Sequence, residues 1–220
     1  NGNTFGAQCI NLVLKREYFK LGVTLSYFTA NPVDYVLWAA ENGELDILRE
    51  LLKKQPGLVH TKDSDGYTPL HRAAYSNHIE AISFLISVGA NVKAKTQLGW
   101  TALHSACNWN NYMAAARLLA AGADPGALSD GEQTPMHLAA AISHCKSTLL
   151  ILFLRDDTVE IAHNKNNAGE TPEQLAQRHG IYAPLFEMLR STAYRCFLSS
   201  QRLIILEVKS IVHLFHDWLP

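Results

Sequence analysis

The chain has 220 residues, and its 19 basic and 20 acidic side chains leave a formal net charge of −1. Hydrophobic residues make up 48% of it, which is enough to bury a core and excludes a chain that is disordered throughout. Because this charge creates no strong field, we expect no direct binding to nucleic acid or to a membrane. The four cysteines lie far apart without a Cys-x-x-Cys pair, so we expect reduced thiols in an intracellular protein.

The first predicted element is an N-terminal segment, residues 1–32, which precedes any repeated pattern. It shows no basic start followed by an apolar run and a small-residue cleavage site, the marks of a secretory signal. The chain begins with Asn1 instead of Met, and the repeated pattern stops abruptly at both of its borders. Two interpretations of the terminal segments therefore stay open: they are native parts of the protein, or they are not native sequence.

A motif of four residues then recurs along the chain at a constant step. The first copy, Thr68–His71, returns 33 residues later as Thr101–His104 and again 33 residues later as Thr134–His137. A fourth copy begins at Thr171, 37 residues further on, and a degenerate unit without the motif lies upstream, around Asp34. Steps of this size are typical of stacked repeats, and about five units are predicted.

Each unit is predicted to contain two helices joined by tight turns. Thr68 suits the N-cap of the first helix, and Pro69 suits its first position because the missing N–H has no partner there. Asn77 stands where this helix must stop in a left-handed conformation, which Asn tolerates. A second helix follows, with apolar residues at helical spacing from Ile82 onward. Since one unit cannot bury its apolar face alone, we expect a continuous stack over residues 33–190.

The residues that carry this pattern resemble a known family. The segments Asp65–Ala74 and Leu118–Asp124 are similar to the consensus of the ankyrin-repeat family, and the resemblance covers residues 33–190. It implies an all-α ankyrin-repeat solenoid of about five stacked helix-turn-helix units with β-turn fingers, which binds proteins. Two further segments, Gly99–Asn111 and Ile181–Glu187, resemble one group within the family. That closer resemblance implies a regulator of transcription in the nucleus and cytoplasm that acts through protein partners.

Several units depart from the family consensus. The first has Asp34–Leu37 in place of the motif, as terminal repeats that cap a stack often do. The fourth has Glu132 where the turn glycine belongs, and its link to the last unit, around residues 155–168, is four residues longer. The last unit has Gln174 in place of the motif histidine, so we expect a less rigid turn there.

The histidines of the motif are predicted to be structural. Each ring, at His71, His104 and His137, is expected to bridge turn and helix, with the neighbouring threonine hydroxyl as one partner. Stacking separates the three rings by one unit each, so they cannot share a metal ion. His213 and His216 would share a helix face but lack a Cys or carboxylate partner, and no metal site is predicted. No motif for phosphate binding, nucleophilic catalysis or zinc-dependent hydrolysis is present, so we predict no catalytic residue and no cofactor.

The family resemblance implies that partners bind to the turn tips and to the inner face of the first helices. Mapped by repeat position, two tryptophans and two tyrosines lie there in adjacent units, and such side chains often anchor interfaces. The alternative is that some of these rings pack sideways onto a neighbouring repeat. We expect a protein partner and a monomeric chain. The predicted partner-binding residues are Tyr67, Tyr75, Gln97, Leu98, Trp100, Asn108, Trp109 and Arg178.

The last predicted element is an apolar C-terminal segment, residues 191–220, with a possible amphipathic helix over residues 203–219. Such a helix would cover the end of the stack, and it is too short and too polar to span a bilayer. Leu206, Ser210 and Leu214 resemble the start of a box that recruits a ubiquitin ligase through elongin in some ankyrin proteins. The alternative function is therefore a substrate-recruiting adaptor, although a complete three-helix box needs a longer segment.

Overall fold

The computed structural model describes residues 31–155, 158–179 and 182–190, and its helices come in pairs joined by short turns. The first pair is α1 (Pro32–Asn42) and α2 (Leu45–Lys54), and a 3₁₀ turn at Pro56–His60 follows it. The remaining helices are α3 (Pro69–Tyr75), α4 (Ile79–Ser87), α5 (Ala102–Asn108), α6 (Tyr112–Ala120), α7 (Pro135–Ala140), α8 (Lys146–Phe153), α9 (Thr158–Ile161), α10 (Pro172–His179) and α11 (Ala183–Arg190).

The helix pairs stack into two layers. The first helices contact one another in the order α1, α3, α5, α7 and α10, and the second helices α2, α4, α6 and α8 do the same. Small, fully buried residues on the first helices allow this close approach, whereas leucines on the second helices fill the space between the layers. The predicted all-α solenoid of stacked helix pairs is confirmed. The small residues are Ala73, Ala74, Ala106, Cys107, Ala139 and Ala140.

The motif histidines close the start of each first helix and also join consecutive units. The Thr68 backbone N–H donates to Nδ1 of His71 (3.2 Å), and the Thr68 hydroxyl lies 2.8 Å from the same nitrogen. Because Nδ1 accepts from a backbone N–H, the ring hydrogen is on Nε2, which donates to the Trp100 carbonyl of the next unit (3.0 Å). The predicted threonine contact is confirmed. The link to the next unit recurs at His104 with Gln133 (2.9 Å) and at His137 with Glu170 (3.1 Å).

The asparagines that end the first helices have a second role. Asn77 and Asn110 are left-handed, with φ of 60° and 56°, as the sequence predicts. The Asn77 side-chain oxygen accepts a hydrogen bond from the Ala114 backbone N–H (3.2 Å), and that of Asn110 accepts one from the Thr148 hydroxyl (2.9 Å). Each asparagine therefore binds the following unit, which a glycine at the same position would not do.

In the turn before α7, Glu132 has the left-handed backbone that glycine has in the equivalent turns of other units. Its φ is 53°, against 72° for Gly99 one unit earlier. A Cβ added to Gly99 would lie 2.9 Å from the Asp130 backbone nitrogen, so a side chain there must displace the next finger. The finger of Glu132 still binds its neighbour, because the Asn167 N–H donates to the Gly131 carbonyl (3.1 Å). The unusual residue is therefore accommodated without loss of the finger-to-finger bond.

Replacing Glu132 with glycine is expected to stabilise the chain by about 0.5–1 kcal/mol. The left-handed conformation costs a residue with a side chain about 1–2 kcal/mol, and the greater freedom of glycine in the unfolded chain removes part of the gain. Urea unfolding followed by circular dichroism measures this difference. The control is Gly99→Ala, which should lower stability because its backbone is left-handed and its surroundings are tight. A loss of stability in E132G would mean that the Glu132 side chain contributes to the fold.

The longer link between the fourth and last units, and the last unit itself, differ from the equivalent parts of the other units in only a few residues. Helix α9 occupies the link, and its last residue, Ile161, is buried together with the following Ala162. In the last unit the Thr171 N–H donates to the Gln174 side-chain oxygen (2.9 Å), and the Gln174 N–H donates to the Thr171 hydroxyl (3.3 Å). Glutamine therefore closes the start of α10 as histidine does in the preceding units.

Two of the four cysteines fall in the described part of the chain, and both are buried free thiols, as predicted. Burial raises the pKa of the Cys145 thiol to about 11, and it raises the pKa of Cys107 still further. Both side chains are therefore protonated and act as small apolar residues of the core.

Several predictions fall on residues that the structure does not describe. These are residues 1–30 of the N-terminal segment, the apolar C-terminal segment with its possible ligase box, and the pair His213 and His216. Among the described residues, no helix combines the length and hydrophobicity needed to cross a membrane. Within those same ranges, no three His, Cys, Asp or Glu side chains are grouped so that they could hold a metal ion.

Candidate protein-binding surface

The turn before each first helix projects as a finger with a fixed shape. In the third unit the Thr96 N–H donates to the Trp100 carbonyl (2.9 Å), and the Gly99 N–H donates back to the Thr96 carbonyl (3.1 Å). The Thr96 hydroxyl accepts a further bond from the Trp100 N–H (3.1 Å). Three hydrogen bonds within five residues make this β-turn a rigid platform, and the predicted β-turn fingers are confirmed.

Neighbouring fingers are also tied together. The Gln97 N–H donates to the Asp65 carbonyl of the preceding finger (2.9 Å), and the Asp130 N–H donates to the Leu98 carbonyl (3.1 Å). The Gln97 side chain donates a second bond to that preceding finger, at the Ser64 carbonyl. The tips of the second, third and fourth units therefore form one continuous edge, which we call the finger ridge.

The structure brings two of the predicted aromatic residues together at the other end of the first helices. Tyr75 ends α3 and Trp109 directly follows α5, and their ring centres lie 5.0 Å apart at an interplanar angle of 70°. Both rings stay accessible, with 36% of Tyr75 and 52% of Trp109 exposed. Edge-to-face contact holds the pair in place without burying it.

The other two aromatic residues of the predicted site pack sideways, as the alternative interpretation states. Trp100 is half-buried and stacks on His104, with ring centres 6.4 Å apart and an interplanar angle of 23°. Tyr67 is half-buried, lies edge-on to His71 (5.7 Å), and has the Arg72 guanidinium 5.1 Å from its ring centre. Burial raises the pKa of the Tyr67 hydroxyl, so the ring is neutral. Both rings contribute to the fold as well as to the surface.

The polar and aliphatic residues of the predicted site lie in two units, the third and the fifth. Leu98 is 63% exposed at the tip of the finger ridge, and Gln97 beside it is exposed as well. Asn108 is half-buried at the end of α5. Arg178 lies on α10 in the last unit and forms an ion pair with Glu170. Arg178 is therefore separated from the aromatic pair by the whole fourth unit.

A charged cluster on this face was not anticipated from the sequence. The Arg72 guanidinium binds the Asp63 carboxylate (2.6 Å) and lies 3.4 Å from the Glu41 carboxylate of the first unit. These residues are 9 and 31 positions from Arg72, so no local spacing rule connects them. Only the repeat step, which places the end of α1 beside α3, would have indicated the contact.

Comparison with known proteins agrees with this geometry. A family model described as Ankyrin repeats, in three copies, matches residues 36–129. Ankyrin repeat domain-containing protein 49 of Drosophila melanogaster is 45% identical over 161 residues, which cover 73% of this chain and 74% of that protein. The chain belongs to the ankyrin-repeat family. The resemblance predicted from the motif residues is confirmed.

Two mammalian relatives are similar to this ankyrin-repeat chain over a region of nearly the same length. Ankyrin repeat domain-containing protein 49 of Homo sapiens is 50% identical over 159 residues, and that of Mus musculus is 47% identical over 159 residues. The matched region covers 72% of this chain and 66% of each of the two relatives. Ankyrin repeats form a protein–protein interaction module, and that broad assignment applies to this chain.

Proposed function

We propose that this ankyrin-repeat chain is a non-catalytic protein-binding module that regulates transcription, in the nucleus and cytoplasm, through a protein partner. The observation that carries the binding role is the exposed pair Tyr75 and Trp109. The transcriptional role is supported by the resemblance of Gly99–Asn111 and Ile181–Glu187 to the group that includes ankyrin repeat domain-containing protein 49.

The aromatic pair has the physical properties of an interface anchor. Large aromatic side chains bury much apolar area on binding and carry much of the affinity of protein interfaces. Because Tyr75 and Trp109 already hold each other 5.0 Å apart, ordering them costs a partner little conformational entropy. The fingers, at the other end of these helices, have a backbone fixed by its own hydrogen bonds, so both ends of the face are preformed.

Replacing Trp109 with alanine is expected to weaken partner binding by about 10-fold or more without a large change in stability. The expected loss corresponds to a typical aromatic hot spot, and the ring is about half exposed in the folded chain. Replacing Trp100 should instead lower the thermal midpoint, because its ring covers His104. Thermal unfolding of both variants, together with affinity capture, separates the two roles.

The capture experiment uses the full chain as bait in nuclear and cytoplasmic extracts, with bound proteins identified by mass spectrometry. Val88→Ala is the matched control, because Val88 is an exposed apolar residue directly after α4, in the layer of second helices. Proteins lost with W109A and retained with V88A name the partner, and transcription components among them would support the proposal. Identical sets with all baits would contradict it. Elongin or cullin subunits that depend on residues 191–220 would favour the ligase-adaptor alternative.

A further inference from the structure

We infer that the partner docks along the finger ridge as an extended segment in which a large apolar side chain stands between two basic side chains. This inference rests on the proposed function, because it uses the same face. It adds the chemistry of the partner, which follows from what surrounds Leu98.

Leu98 is the apolar centre of the finger ridge. It is 63% exposed, the most exposed large hydrophobic residue in the described part of the chain. The preceding finger carries the exposed Asp65 and the next finger carries the exposed Asp130. A Cβ added to Gly99 would lie 2.7 Å from the Asp130 carboxylate, so this carboxylate stands directly against the finger of Leu98. An accessible apolar side chain therefore lies between two carboxylates.

The lysines of these fingers contact backbone carbonyls instead of the two carboxylates. The Lys62 amine donates to the Lys95 carbonyl (2.9 Å), and the Lys95 amine donates to the Leu128 carbonyl (2.8 Å). Neither Asp65 nor Asp130 forms an ion pair with any side chain in the described ranges. Both carboxylates are therefore available to basic groups of a partner, whose approach they would also accelerate.

The neighbouring charges strengthen this preference. Arg72 is already shared between Asp63 and Glu41, which leaves that cluster with a net negative charge. Glu132 adds another exposed carboxylate on the fourth finger. An acidic segment or a phosphate backbone would be repelled here, and a second copy of the same face would present like charges. The ridge thus favours a basic partner segment.

The spacing of the ridge fixes the spacing of the partner's side chains. Asp65 and Asp130 are bonded through the backbone to Gln97 and Leu98 of the same finger. With about 5.5 Å between hydrogen-bonded Cα atoms and about 3.8 Å between consecutive ones, the two aspartates lie at most about 15 Å apart along the ridge. An extended chain rises about 3.3 Å per residue, so this distance corresponds to four or five residues. The expected segment therefore carries two Lys or Arg residues about four or five positions apart, with a large apolar residue near the middle.

A random dodecapeptide display library selected on the full chain tests this inference. We expect enriched peptides to show the basic–apolar–basic pattern and to bind about 10-fold more weakly to the double variant D65N/D130N than to the unchanged chain. Added salt should weaken binding as well, because the charges are exposed. The matched control is E50Q/E80Q, which removes two exposed carboxylates from the second helices and should leave binding unchanged.

The outcomes test the basic-segment inference separately from the proposed binding role of the aromatic pair. Enriched peptides that are neutral or acidic, or that bind D65N/D130N unchanged, would overturn the inference, and so would a library without enrichment. If such neutral or acidic peptides lose binding with W109A, the face is still the binding surface and the proposed function stands. If basic peptides depend on the two carboxylates and not on Trp109, the ridge is confirmed and the aromatic anchor is wrong.

Discussion

Replacing Leu118 with alanine is expected to lower the free energy of unfolding by about 2–5 kcal/mol. Leu118 is fully buried in α6, at the centre of the second-helix layer. Helix α6 contacts α4 on one side and α8 on the other, so the cavity weakens two interfaces between units. Because stacked repeats are stabilised mainly by such interfaces, the loss should reach the upper part of the range. Urea unfolding followed by circular dichroism measures it.

The matched control is the same substitution at Leu98, which is 63% exposed. Leu98→Ala should change stability by about 0.5 kcal/mol or less, because little apolar area is buried there. The two variants are therefore expected to have opposite effects. L118A loses stability and keeps the binding surface, whereas L98A keeps stability and loses peptide binding. Equal losses of stability would contradict the burial of Leu118.

The stability of the chain is expected to fall steeply on acidification between about pH 6.5 and pH 4. Burial is the main cause that lowers the pKa of His71, His104 and His137 from 6.5 to about 4. In this window the unfolded chain binds protons that the folded chain does not, so folding becomes less favourable as pH decreases. The effect is absent above pH 6.5 and complete below pH 4.

The magnitude of this pH effect is large. A pKa shift of this size corresponds to about 3 kcal/mol for one ring, and three rings approach the whole stability of a small domain, about 5–15 kcal/mol. We therefore expect the chain to unfold before pH 4 is reached. Thermal midpoints measured at intervals from pH 8 to pH 4 test this expectation, and a constant midpoint over that range would contradict it.

His104→Gln is the control for the titration of a single ring. Gln174 shows that glutamine closes the same turn through Thr171. The variant should lose the link from His104 to the Gln133 carbonyl, and with it some stability at pH 7. It should also lose about one third of the acid destabilisation, because two titrating rings remain. An unchanged pH dependence would mean that folding does not lower the pKa of His104.

The sequence by itself determined the repeat and the helix ends, and it predicted the location of the binding face. These features follow from local rules, which act within a few residues. Thr68 caps a helix, Asn77 ends one, and a step of 33 residues repeats the unit. Glu132 was recognisable as an exception for the same reason, because its position in the turn requires a left-handed backbone.

Only the tertiary structure decided which side chains of that face are accessible. Trp100 and Trp109 are both tryptophans at the ends of α5, yet one stacks on His104 and the other meets Tyr75 of the preceding unit. Their contacts depend on the packing of neighbouring helices, and no local pattern encodes it. The contact of Arg72 with Glu41 has the same origin. Exposure is a property of the stack, because each unit is covered by the units on either side of it.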